Sequence, residues 1–250
     1  MSKNFDGKSR RRRERLELSL PVRVFGRESE DYEWVEHTRL LDVTPFGVRF
    51  TIFRPTEPGR LLHLTLPMPR QLRCFDHVED QYRVWALVRN MKIVEASGGK
   101  PIRYEVGAAF IGKRPPESFE RDPTTLYDVA PTATDAGLSN ISEREARATS
   151  AAAPRPETRH NIPIEVIVEV LDEKGQVSNT ETTVTENISR RGASVFTSLN
   201  ITRGRFVRVT SAQYQISVVA AVRARRTGAN GIPRLHLEFV DKQWPLEGIE

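Results

Sequence analysis

Two pairs of arginines, each with three residues between its members, are the groups of this sequence best suited to holding an anion. The first pair is Arg11 and Arg15, preceded by Arg10, and the second pair is Arg155 and Arg159. A guanidinium group donates paired hydrogen bonds to a phosphate or to the edge of a guanine base, and its flat face stacks on a purine. Taken alone, the first run also fits a solvated basic tail or a nonspecific phosphate contact.

A second polar element follows each arginine pair, just before a predicted strand. Its residues are Asp42, Thr44 and Gly47 in the first half of the chain and Asn187, Ser189 and Gly192 in the second half. The two copies are 145 positions apart at both ends of the element. A carboxylate or amide and a hydroxyl can hydrogen-bond a base, and glycine permits close approach of another group. The same residue types also serve as turn residues that bond their own backbone.

The charge distribution narrows the class of anion. The formal net charge is +5, and residues 1–27 contain nine basic and three acidic residues. This segment therefore holds the whole surplus, and the remaining 223 residues sum to −1. A surface-wide site for long nucleic acid is thereby disfavoured, and one short anion-binding segment is the better description.

Several functions are excluded by residues that the sequence lacks. Cys74 is the only cysteine, which rules out an intrachain disulfide and a cysteine-based zinc site. The histidines do not have the spacing of metal ligands, and neither a phosphate-binding glycine loop nor a serine-nucleophile motif is present. We therefore expect no metal, no cofactor and no catalytic residues. With no apolar run long enough for a membrane span and no recognisable secretory signal, a cytoplasmic protein is expected.

The elements that position these residues are short strands. Apolar and polar residues alternate over several segments of each half, which is typical of half-buried antiparallel strands: 21–25, 62–68, 104–110, 162–170, 206–210 and 234–240. No strand–helix–strand unit is recognisable, so a barrel or sandwich is favoured over a parallel sheet. The predicted division of the chain is a flexible tail over 1–9, a first domain over 10–114, a linker over 115–154 with a short helix near 142–149, and a second domain over 155–245.

These motifs together resemble the PilZ domain family. Its signature is Arg-x-x-x-Arg in an N-terminal loop, followed by Asp/Asn-x-Ser-x-x-Gly where a barrel strand begins, and this sequence carries that combination twice. The resemblance implies an all-β fold of two six-stranded antiparallel barrels in tandem, joined by a partly helical linker. It also implies binding of cyclic di-GMP, whose phosphates and guanines both suit arginine, with the loop folding over the barrel.

The two copies depart from the family pattern at different places. Thr44 stands where the first copy is expected to have serine, although it retains the hydroxyl. In the second copy only three residues separate Arg159 from Pro163, whereas five separate Arg15 from Pro21. The first copy is therefore favoured by its loop and the second by its strand element, and binding by both copies remains open.

The resemblance predicts a cyclic di-GMP receptor that relays the signal to an unidentified protein partner. The main alternative is a PilZ adaptor that docks a protein without binding the nucleotide. A third reading is a nucleic-acid contact through the basic residues 1–14, which the near-neutral remainder of the chain disfavours.

Overall fold

The computed structural model describes residues 19–94, 101–129, 141–144, 158–228 and 231–246. Its first half forms a closed antiparallel barrel. The six strands are β1 (Pro21–Ser29), β2 (Tyr32–Thr44), β3 (Gly47–Ile52), β4 (Leu61–Leu66), β5 (Tyr82–Val94) and β6 (Arg103–Gly112). They are arranged in the order β1-β2-β3-β6-β5-β4, and β4 pairs back onto β1 to close the barrel.

A compact segment follows the first barrel. It contains a single-turn helix α1 (Glu117–Arg121) and two short strands, β7 (Tyr127–Val129) and β8 (Ile141–Glu143), which pair antiparallel. The helix predicted near 142–149 is wrong at its start, because Ser142 and Glu143 belong to β8 and pair with Asp128 and Tyr127. Apolar contacts hold this strand against the first barrel, and they outweigh the local helix signal; residues 145–149 lie outside the described ranges.

The second half repeats the first barrel. Its strands are β9 (Glu165–Leu171), β10 (Val177–Ser189), β11 (Gly192–Phe196), β12 (Phe206–Ser211), β13 (Ile216–Thr227) and β14 (Pro233–Phe239). The order β10-β11-β14-β13-β12-β9 is the order of the first barrel, strand for strand. The predicted fold class is confirmed, whereas the domain boundaries stay predictions.

Each barrel is filled by the alternating apolar residues of its strands. Val22, Val24 and Phe50 are among those that face the first core, and Val166, Val168 and Leu237 among those that face the second. Removing such side chains from water is the main force that closes each barrel, at about 1.5–3 kcal/mol for a fully buried large apolar side chain. The outward-facing residues of the same strands are then free to build sites and interfaces.

The two barrels pack directly against each other. Phe206, Val219 and Ala221 of the second barrel are buried in the same apolar cluster as the core of the first. Around this contact, Arg54 donates to the carbonyl of Leu171 at 3.2 Å, and Arg60 donates to the carbonyl of Gly204 at 3.1 Å. Since Arg54 and Arg60 are almost completely buried, these bonds satisfy groups that water does not reach.

Candidate functional site

The hydroxyl of each predicted motif closes a tight turn. Thr44 Oγ1 donates to the carbonyl of Gly47 at 3.3 Å and accepts from the Phe46 amide at 3.2 Å. In the second barrel, Ser189 Oγ donates to the carbonyl of Gly192 at 3.2 Å and accepts from a backbone amide at 3.4 Å. Threonine makes the same bonds as serine, so this departure from the family pattern leaves the turn intact.

Both motif glycines are required where a neighbouring strand comes close. A Cβ atom at Gly47 would overlap the carbonyl oxygen of Ala108 on β6, and one at Gly192 would overlap the carbonyl oxygen of Leu237 on β14. The obstacle is backbone in both cases and cannot rotate away. The glycines therefore shape the strand junction beside the candidate site.

In the first barrel, the motif carboxylate is held by an arginine that the sequence analysis did not single out. Asp42 is buried and accepts from Arg49 Nε at 2.7 Å. Arg49 also donates to Glu105 at 3.0 Å. The hydrogen bonds from Arg49 to Glu105 and Asp42 raise the pKa of its guanidinium group. This arginine therefore lies between two carboxylates on the outer face of the barrel.

In the second barrel, the structure brings the two predicted motif elements together. Arg159 Nη1 donates to Asn187 Oδ1 at 3.0 Å, across 28 positions of sequence. The short connection from Arg159 to Pro163 is therefore long enough for the loop arginine to reach the strand element. Arg10, Arg11, Arg15 and Arg155, which complete the predicted sites, lie outside the described residues.

Further basic side chains lie on the same outer face of the second barrel. Across the sheet, Asn187 pairs with Ser194, Ser194 with His236, and Arg234 with Arg226. The Arg234 guanidinium lies 5.1 Å from the Phe196 ring centre, within cation–π range. We call this surface the β14 face; its described residues are Arg159, Asn187, Ser194, Phe196, Arg226, Arg234 and His236.

The pKa of His236 reports the electrostatic environment of the β14 face. Burial lowers the pKa of its imidazole, and the charges of Arg226, Arg159 and Arg234 lower it further, against the opposing effect of Glu186. Glu186, the carboxylate that opposes them, accepts from Arg234 at 2.7 Å. An excess of positive charge therefore surrounds the imidazole. The sequence analysis did not single out Arg234 or His236, and the alternation of β14, which directs both side chains outward, was the available signal.

The corresponding face of the first barrel has a different charge pattern. By strand register, Arg49 occupies the position of Ser194, Gly107 that of His236, and Glu105 that of Arg234. Of its described cations, Arg49 binds Asp42 and Glu105, Lys92 is the cross-strand partner of Glu105, and Arg103 lies two positions before Glu105 on β6. The cations of the first face thus bind or adjoin carboxylates, whereas at His236 the charges of Arg226, Arg159 and Arg234 outweigh that of Glu186.

A second repeated feature of the two barrels was missed by the sequence analysis. Glu36 accepts from the Phe53 amide at 2.9 Å, and Glu181 accepts from the Ser198 amide at 3.0 Å. Next to them, Thr38 and Thr183 each donate to a backbone carbonyl at 2.7 Å. These side chains replace strand pairing where the second and third strands of each barrel diverge. Their spacing of 145 positions, the same as between the motifs, was the signal.

Other kinds of site are not found in the part of the chain that the structure describes. There, no group of three or more His, Cys, Asp or Glu residues is arranged to hold a metal ion. Nor do the described ranges contain a helix long and apolar enough to cross a membrane.

Comparison with known protein families supports the resemblance that the second motif indicated. Residues 151–243 match the PilZ domain. No curated protein sequence matches the chain significantly. Among solved structures, the inhibitor of motility MotI/DgrA of Bacillus subtilis is 13% identical with a TM-score of 0.30, and the alignment covers 91% of this chain and 90% of that one.

Two further similar structures contain a nucleotide. PlzA of Borreliella burgdorferi in complex with cyclic di-GMP is 9% identical with a TM-score of 0.29, over 94% of this chain and 90% of that one. YcgR of Escherichia coli in complex with cyclic di-GMP is 11% identical with a TM-score of 0.28, over 89% and 76%. The match to the PilZ domain over residues 151–243 therefore falls on the part of the chain that forms the second six-stranded barrel.

Proposed function

We propose that the second barrel binds cyclic di-GMP on the β14 face. The observation that carries the proposal is the hydrogen bond between Arg159 and Asn187, which brings the two halves of the motif to one place. In the proposed complex Arg159, together with Arg155, donates to phosphate or to the O6/N7 edge of guanine. The amide of Asn187 offers both a donor and an acceptor to a base edge.

The charge of the β14 face suits a ligand with two phosphates. Arg226 and Arg234 lie on neighbouring strands at paired positions, and His236, two residues after Arg234 on β14, is the cross-strand partner of Ser194. A phosphate placed here gains from several guanidinium groups at once. Ser189 and Gly192 contribute indirectly, because their hydrogen bond and close packing shape the turn that presents Asn187.

A binding role also fits the chemistry of these side chains. At neutral pH arginine donates hydrogen bonds, and asparagine and serine both donate and accept them, without transferring protons, so these side chains are suited to recognition rather than catalysis. We therefore propose that the chain is a receptor and not an enzyme. Ordering of the arginine loop over the bound nucleotide then supplies the change that a downstream protein partner reads.

For the first barrel, the structure favours the alternative role of an adaptor without nucleotide. The pair of Asp42 with Arg49 is the specific observation, because a loop arginine or a base must compete with Arg49 for this carboxylate. The predicted first site, with Arg10, Arg11, Arg15, Asp42, Thr44 and Gly47, is thus expected to bind more weakly than the second. Substituting Arg11 and Arg15 by alanine should leave the affinity of the full chain nearly unchanged.

Isothermal titration calorimetry of the full chain with cyclic di-GMP tests the main proposal. Arg159→Ala should weaken binding by about tenfold or more, which corresponds to the loss of one good bidentate contact. Arg159→Lys keeps the charge but not the planar fork, and should fall between alanine and wild type. Arg39→Ala is the matched control, since Arg39 is exposed on the first barrel and donates to the carbonyl of Ser19 at 2.9 Å.

The same titration can refute the proposal. Absence of heat and of a thermal shift at nucleotide concentrations well above micromolar would remove cyclic di-GMP as the ligand. Binding that is lost in the Arg11 and Arg15 variants but unaffected by Arg159→Ala would move the site to the first barrel.

A further inference from the structure

The contact between the two barrels uses one apolar face of the second barrel. Phe206, Val219 and Ala221 point away from the core of their own barrel and are buried in the cluster of the first, and Val240 packs against the same cluster. Phe206 and Ala221 are cross-strand partners between β12 and β13. We call these four residues the docked face.

The first barrel has the same face at the same strand positions. Leu61 pairs with Leu87 as Phe206 pairs with Ala221, and Trp85 lies where the second barrel has Val219. Ile111 follows the last core phenylalanine of its barrel, as Val240 does. Leu61, Trp85, Leu87 and Ile111, which we call the matching face, belong to a small apolar cluster separate from either core.

On the first barrel, this face is covered by the segment after β6. We call residues 117–129 and 141–144 the cap. Phe119 packs edge-on against Trp85 with ring centres 5.1 Å apart, and Tyr127 is buried in the same cluster. The Tyr127 amide also donates to the carbonyl of Gly59 at 2.9 Å. The cap thus covers on the first barrel the surface that the second barrel uses for docking.

The docked face is covered by the first barrel, and the matching face is covered by the cap. The two contacts also resemble each other at a glycine turn. Gly59 and Gly204 precede the corresponding strands β4 and β12, and both have a positive φ, of 98° and 92°. A Cβ atom at Gly204 would overlap the carbonyl oxygen of Glu28 in the first barrel, and one at Gly59 would lie 3.0 Å from the carbonyl oxygen of Tyr127 in the cap. Gly204 is therefore in close contact with the first barrel, and Gly59 is in close contact with the cap.

Charged residues beside the docked face and beside the matching face also occupy corresponding positions. Arg223 occupies the bulge position of β13 and donates to Glu57 of the first barrel at 2.9 Å. Arg89 occupies the matching bulge position of β5. The pKa of Asp128 in the cap is lowered by its hydrogen bond from Arg144 and, to a smaller extent, by the charge of Arg89. Glu57 thus binds the bulge arginine of the second barrel directly, whereas the bulge arginine of the first barrel acts on Asp128 through its charge.

The cap is held less firmly than the docked barrel. Its ion pair with the second barrel, Asp122 with Arg203 at 3.1 Å, is exposed to solvent by 43% and 56% at the two side chains, and its internal pair, Asp128 with Arg144 at 2.7 Å, by 56% and 36%. The pair of Glu28 with Arg54 beside the docked face, also within the first barrel, is almost fully buried, and Glu57, which binds Arg223 across the interface, is 4% exposed. Exposed pairs contribute little, whereas loss of one partner of a buried pair is costly. Opening of the cap is therefore the easier of the two separations.

We propose that the matching face is a second barrel-docking surface, and that the cap closes it against a second copy of this chain. When the cap is displaced, Leu61, Trp85, Leu87 and Ile111 form a contiguous apolar patch. Such a patch, already used for barrel contact at the same positions of the second barrel, then pairs two chains. The proposal does not depend on nucleotide binding.

Sedimentation velocity of a cap variant tests this inference. Phe119→Ala combined with Tyr127→Ala removes both aromatic contacts of the cap. The wild type should sediment as a monomer over the micromolar range, and the variant should shift toward twice that mass as its concentration rises. A variant that keeps native circular dichroism and stays monomeric over the same range would overturn the proposal.

Two matched variants distinguish specific docking from nonspecific association. Adding Leu87→Arg to the cap variant places a charge in the matching face and should restore the monomer. Phe53→Ala combined with Tyr214→Ala truncates two partly buried aromatic residues elsewhere and should remain monomeric. Association that persists with Leu87→Arg, or that also occurs in the Phe53 and Tyr214 variant, would refute a specific docking face.

A milder variant keeps the test available if the double cap variant does not fold. Arg144→Ala removes the exposed ion pair with Asp128 and the hydrogen bond to the carbonyl of Pro58. Hydrogen exchange at the Tyr127 amide reports opening of the cap, and sedimentation reports association. Faster exchange with a concentration-dependent mass supports the proposal, whereas faster exchange of a strict monomer contradicts it.

Discussion

The contact between the barrels depends on a buried carboxylate whose loss of one partner has a calculable effect. Glu57 is 4% exposed and is bound by Arg60 within its own barrel at 2.9 Å and by Arg223 from the other barrel. Arg223 also donates to Glu238 at 2.8 Å. Arg223→Met keeps most of the side-chain volume but removes the guanidinium group. Glu57 is then left buried with Arg60 as its remaining cation.

The expected cost is about 3 kcal/mol of unfolding free energy at pH 7. Breaking a buried ion pair by removing one partner costs about 3–5 kcal/mol, and the lower end applies because Arg60 still neutralises Glu57. Glu57→Gln removes the carboxylate from both arginines, and in the Arg223→Met background it leaves Arg60 as the remaining buried charge. Because the two substitutions remove the same ion pair, the double variant should lose less stability than the sum of the two single variants, and the difference gives the coupling energy of a double-mutant cycle.

The pH dependence of this cost has a defined sign. Burial by itself raises the pKa of Glu57, but Arg60 and Arg223 outweigh it and lower the pKa below its ordinary value of 4.5. A lowered pKa in the folded state stabilises the protein above pH 4.5, and this contribution is lost as the pH falls through the folded-state value. The difference between wild type and Arg223→Met should therefore shrink below pH 4.5.

Urea denaturation at pH 7 and at stepwise lower pH measures both quantities. The wild type should unfold in one transition because the barrels share an apolar cluster, and Arg223→Met should lower the midpoint. A variant within about 0.5 kcal/mol of wild type at pH 7, which is the range of ordinary surface substitutions, would refute the role assigned to this pair.

Three further predictions concern the motifs. Gly192→Ala should destabilise the second barrel by about 1–3 kcal/mol in urea denaturation, because the new Cβ overlaps the carbonyl oxygen of Leu237; an unchanged midpoint would contradict this. Ser189→Ala should lower the free energy of unfolding by about 1 kcal/mol, because the turn hydrogen bond is lost. Thr44→Ser keeps the hydroxyl and should leave the free energy of unfolding unchanged. Equal effects of the two substitutions would contradict the roles assigned to these hydroxyls. If the β14 face binds cyclic di-GMP, affinity should rise as the pH falls below 6.5, since a bound phosphate favours the protonated imidazole of His236, and His236→Asn should abolish this rise in calorimetry.

The fold was largely accessible from sequence because its signals are local. Period-two alternation identifies strands wherever one face is buried, and the second copy of the motif, 145 positions later, showed that one architecture occurs twice. The exception was the segment around Ser142, where short-range propensity favoured a helix and contact with the first barrel produced a strand. Local propensity is weak compared with the burial of Tyr127 and Ile141.

The candidate site was accessible only in part. Arg159 and Asn187 were named because their types and order matched a motif, and the structure joins them. Arg49, Arg234 and His236 were not named, because no local pattern tells which residue of a distant strand lies opposite.

The apolar run in β13 was a signal of a different kind. Its residues Val218 to Val222 are apolar on both faces, which indicates a strand covered on both sides but not what covers it.

By itself the sequence determined the all-β architecture, its duplication and the chemical type of ligand to expect, because alternation, repetition and side-chain chemistry are properties of the chain. The tertiary structure decided which charges are matched. It placed Arg49 against Asp42 in the first barrel, left an excess of arginine around His236 in the second, and covered equivalent apolar faces by different means. Those outcomes depend on strand register and barrel closure, which bring together residues far apart in sequence and remove some of them from water.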